Sequence, residues 1–74
     1  MYARPSAPER LEGQIAAKTK YLQQCEQFFE QAALELAKAP DDPFLKRRVR
    51  ILAQMIMSTQ LTIQSLQRML RQLQ

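Results

Sequence analysis

At 74 residues, with eleven Lys/Arg against seven Asp/Glu and a net charge of +4, the chain is one small domain at most. A single cysteine, a single glycine and no histidine remove a disulfide framework, a phosphate-cradling loop and the commonest general base near neutral pH. Cys25 with carboxylates is a poor zinc ligand set, so the composition predicts no catalytic residues, no cofactor and no metal: not an enzyme.

The chain opens with a short tail over residues 1–6. Arg4 is followed by no apolar run, because Glu9, Arg10, Glu12 and Gln14 interrupt any signal-peptide core. The longest uncharged stretch, Ile51 to Gln67, holds Gln54, Ser58, Thr59, Gln60, Thr62, Gln64 and Ser65 and reads as one side of a helix rather than a membrane span. The expected location is cytoplasmic.

Ser6-Ala7-Pro8-Glu9 has the form of a capping box, with Pro8 in the first turn where its missing N–H does no harm. From there a helix is predicted over about 7–39, rich in Ala, Leu, Gln, Glu and Lys. Its apolar positions recur by threes and fours: Leu11, Ile15, then Lys18 as a break, then Leu22, Cys25, Phe29, Ala32, Leu36 and Ala39. Tyr21 and Phe28 flank this seam and widen it.

Pro40-Asp41-Asp42-Pro43 predicts the turn, over 40–43. Pro40 stops the first helix, Asp42 is an N-cap and Pro43 takes the first position of a second helix reaching about residue 73. The second seam is Leu45, Val49, Leu52, Ile56, Thr59, Ile63, Leu66, Leu70 and Leu73, widened by Met55 and Met69. Thr59 is expected to bond back to its own turn. Two near-equal helices on so short a linker predict an all-α fold, an antiparallel coiled-coil-like hairpin forming a single domain over 7–74.

One seam does not use all the apolar residues. Leu34 lies outside it in the first helix; Phe44, Ile51, Met57 and Leu61 lie outside it in the second. A segment apolar on more than one side is usually covered on more than one side, so the hairpin is expected to be completed to a bundle by dimerisation or by a partner. Phe44, Ile51, Met55, Met57 and Leu61 are the predicted partner-binding residues, the methionines supplying adaptable packing. The second helix carries no acid, and Lys46, Arg47, Arg48 and Arg50 make a basic patch in its opening turns, against the positive end of the helix dipole. Glu30, Glu35, Asp41 and Asp42 of the same chain, an acidic protein surface, or nucleic acid could offset it. Against the last stand the modest net charge and the lack of a third helix to seat a recognition helix.

The turn at Pro40 to Pro43 and the faces carrying Leu22, Phe29 and Leu36, and Leu52, Ile56 and Ile63, resemble the layout of the small helical-hairpin co-chaperones of bacterial type III secretion. The resemblance is one of architecture and covers most of the chain. It implies a hairpin that works with a partner chaperone to hold a needle subunit soluble. The basic patch and the long second helix depart from that plan, and small plasmid-type RNA-binding hairpin dimers share its outline. The residues themselves support a non-enzymatic interaction module that binds or stabilises a partner protein. A homodimeric four-helix unit and a basic hairpin binding nucleic acid stand as alternatives.

Overall fold

The computed structural model describes residues 6–74, so the tail expected at residues 1–6 lies outside the described residues except for Ser6. Two helices, α1 (Ala7–Lys38) and α2 (Pro43–Leu73), pack against one another as an antiparallel hairpin, and there is no strand among the described residues. The expected helices, turn and fold class agree with this structure to within a residue at each end.

Both helix starts are capped. The Ser6 hydroxyl accepts from the Glu9 N–H at 3.3 Å, and Asp42 Oδ1 accepts from the N–H groups of Phe44 at 2.9 Å and Leu45 at 3.4 Å. These bonds satisfy amides that have no partner inside the helix. At the other end of α1, the Ala39 N–H reaches the carbonyls of Glu35 and Leu36, and Ala39 itself turns out of helical geometry at φ −137°, ψ 67°. Pro40 is the reason: its ring crowds the preceding residue and drives it away from the α region. The Asp42 N–H then donates to the Ala39 carbonyl at 3.1 Å, closing the reversal. The turn needs no left-handed residue.

The seam runs the length of both helices. Leu11, Cys25 and Ala32 are its buried members on α1, and Leu52, Thr59 and Ile63 on α2. Equal helices about a tight turn set Leu36 level with Leu45, Phe29 with Leu52, and Leu22 with Thr59. The deepest residues are small ones, Ala32 at 2% and Cys25 at 3% exposure, where a short side chain lets the neighbouring helix close over it. Thr59 donates its hydroxyl to the Met55 carbonyl at 2.7 Å, as its sequence position suggested, and so sits in the apolar seam with its polar atom satisfied.

Lys18, read as a break in the seam, is exposed and lines a depression with Met55 and Thr59 of α2, while Thr19 beside it is half-buried, its hydroxyl bonded to the Ile15 carbonyl at 2.7 Å. The structure corrects the seam in two places. Ala39, expected as the last seam residue of α1, is its exposed C-cap. Leu73, expected to close the seam of α2, is exposed because it lies level with the first turn of α1 and has little to pack on.

The side-chain hydrogen bonds among the described residues are all local, and none joins α1 to α2. Apolar packing and the turn therefore hold the hairpin together. Two substitutions separate these local contributions. Asp42→Ala removes the α2 cap and is expected to lower stability by about 1 kcal/mol, with Asp41→Ala as a near-neutral control. Gly13→Ala adds a methyl that meets nothing within 4 Å on an exposed helical surface, and is expected to raise stability by about 1 kcal/mol. Urea denaturation followed by circular dichroism measures both.

Candidate protein-interaction face

The hairpin measures 56 × 26 × 13 Å, so it is one helix thick. In a single layer each helix is covered on one side alone, and no large side chain falls below 2% exposure. The chain exposes 6203 Å². A compact monomer of its mass would expose about 4700 Å².

The exposed apolar residues are not scattered evenly. Phe28 of α1 joins Phe44, Ile51 and Leu52 of α2 around a concavity of about 380 Å³, with Arg47 and Arg48 at its edge. Next along the same side, Tyr21 and Lys18 of α1 line a second concavity with Ile51 and Met55 of α2. The two share Ile51, so they form one groove between the helices, starting at the turn and running towards the open end. Phe44 is 67% exposed and Ile51 49%, each unusually high for so large an apolar side chain in a helix that already has a partner.

The five residues expected to bind a partner thus fall into two groups. Phe44, Ile51 and Met55 lie in the groove between the helices. Met57 and Leu61, 62% and 64% exposed, line a further depression formed by α2 alone, which shares Gln54, Ser58 and Thr62 with the second concavity. Tyr21 and Phe28 were read from the sequence only as residues widening the seam; the structure places them on the same side as Phe44 and Ile51. A usable signal was present. Tyr21 and Phe28 each precede a seam residue by one, as do Phe44 and Ile51. Because the second helix runs backwards, residues one step before the seam on both helices emerge on the same side of the hairpin.

Lys46, Arg47, Arg48 and Arg50 are all exposed, and the first turn of α2 holds no acid. Only Arg47 and Arg48 reach the groove. Asp42, one of the carboxylates weighed as a counterweight to this patch, commits Oδ1 to the α2 cap. Among the described residues no group of three or more His, Cys, Asp or Glu is placed to hold a metal ion, and no helix is long and apolar enough to cross a membrane.

One titrating group at the groove is perturbed. The Tyr21 hydroxyl is held above the ordinary tyrosine value, first by its hydrogen bond with the Cys25 thiol one turn away, then by desolvation and by the negative charge of the Cys25 thiolate. Because the raised group favours the folded chain while its phenol is protonated, that contribution is present at neutral pH and is lost as pH rises through the elevated Tyr21 pKa. In a Tyr2→Phe background, phenolate absorbance reports Tyr21 alone. Cys25→Ala is expected to bring its titration midpoint down towards the ordinary value.

Comparison of the chain with protein-family models, with curated proteins and with solved structures gave no match.

Proposed function

We propose that the hairpin is a non-enzymatic protein-interaction module, of adaptor or co-chaperone type, that binds or stabilises a partner protein in the cytoplasm. The observation that carries this reading is the groove along one side of the layer, where Phe28, Phe44 and Ile51 stand exposed around a common concavity. A contiguous apolar surface of this kind is the usual mark of a docking site. The surplus surface of the single layer supports the same reading, since at about 1500 Å² it exceeds the roughly 800 Å² that one partner contributes to a standard interface. The type III secretion co-chaperones, whose layout the chain resembles, supply one setting in which a hairpin of this outline works.

The test is recovery of the tagged chain from its native cells. The wild type is expected to co-purify with one protein in near-equal amount. Phe44→Asp combined with Ile51→Asp is expected to lose that protein while keeping its helical circular dichroism. Undiminished recovery by the double variant overturns the reading. So does a wild-type chain that emerges with no companion and, by light scattering, has the mass of two copies.

A further inference from the structure

The proposed module leaves open what kind of surface it takes, and the chemistry of the groove narrows this. We infer that the groove receives an acidic amphipathic helix of the partner protein, its apolar stripe lying along Phe28, Phe44, Ile51 and Met55 and its carboxylates meeting Arg47 and Arg48. This inference rests on the interaction reading above.

Charge decides between the occupants such a groove could take. The charged side chains lining the three depressions on this part of the molecule are Arg47, Arg48 and Lys18, and no carboxylate lines any of them. Along the same line of α1 lie Arg10, a whole number of turns before Phe28, and Glu35, seven residues after it, one cation and one carboxylate outside the lining. A second copy laid face to face on this groove brings Arg47, Arg48 and Lys18 of the lining against the same cations, with no lining carboxylate to meet them. Opposed like charges at an interface disfavour that pairing. An acidic partner removes that penalty, and it also relieves the cations crowded against the positive end of the α2 dipole.

Shape points to a helix. The groove is bounded by two helices, and its α2 wall is set by Phe44, Ile51, Met55 and Ser58, which recur by threes, fours and sevens. A third helix laid between two others continues that spacing and turns the layer into a three-helix bundle. Ser58 and Thr62 let it approach closely further along α2, because both are small and the Thr62 hydroxyl is already bonded to the Ser58 carbonyl at 3.0 Å.

The experiment uses the full chain and two fluorescent synthetic peptides of about 20 residues, long enough to span about 30 Å as a helix. Both carry the same leucine heptads; one has glutamate on the flanks of the stripe and the other lysine. The glutamate peptide is expected to bind at least about tenfold more tightly than the lysine peptide, and to weaken as salt is raised. Arg47→Glu combined with Arg48→Glu should invert the preference. Ile51→Asp should abolish binding of both peptides while the hairpin keeps its helical signal. Equal binding of the two peptides overturns the acidic partner yet leaves apolar docking, and with it the interaction reading, intact. Binding of neither peptide overturns the inference, as does displacement of the glutamate peptide by a single-stranded oligonucleotide at equal concentration. Co-purification of a protein sensitive to Phe44→Asp and Ile51→Asp decides the broader reading independently.

Discussion

A single apolar seam between α1 and α2 governs everything else in this molecule. In a globular domain each helix packs on several neighbours, and its residues are shielded from several directions. Here one contact line must supply the driving force for ordering the described chain, and the layer is only 13 Å thick. That constraint explains why the most buried residues are Ala32 and Cys25 rather than a leucine or phenylalanine. A long side chain at a two-helix contact always has one edge near water, whereas a short one can be roofed by its neighbours. It also explains why Thr59 is tolerated at the centre of α2. Its hydroxyl is satisfied within its own turn, and the seam needs only its methyl group.

The same constraint gives the surface its character. Side chains one step off the seam are covered in a bundle and exposed in a hairpin. Tyr21, Phe28, Phe44 and Ile51 all occupy such positions, and the reversal of the chain gathers them on one side. The other exposed large apolar residues, Leu34, Met57, Leu61, Met69 and Leu73, do not line that groove. The positive charge follows a parallel logic. The carboxylates of the chain are confined to α1 and the turn, so along α2 nothing on the same helix neutralises Arg47 and Arg48. The groove is thus apolar along its floor and positive along its edge.

Most of the fold was legible because its signals are local. Proline, aspartate and the three-four spacing act within a turn or two, and they marked the helix ends, the turn and nearly all of both seams. What failed lay at the ends of the seam or depended on pairing. Ala39 and Leu73 were placed on the seam by counting heptads, but Ala39 is the exposed C-cap of α1 and Leu73 lies level with the first turn of α1, where little packs on it. The grouping of the exposed apolar residues required knowing which flank of α1 meets which flank of α2, a property of the assembled pair. Within one helix, Phe44 and Met57 look equally surplus; between two helices they part company.

The turn has a consequence for how copies of this chain can associate. Hairpins of two equal helices often exchange arms, the linker straightening so that both helices run on as one rod and pair with a second rod. Here that route would carry Pro40 and Pro43 into the interior of a continuous helix. Each ring would collide with the carbonyl four residues earlier and remove a backbone hydrogen bond, at about 3 kcal/mol apiece. The two prolines that shape the reversal thereby lock each chain into pairing with itself, and any assembly it enters is built from closed hairpins.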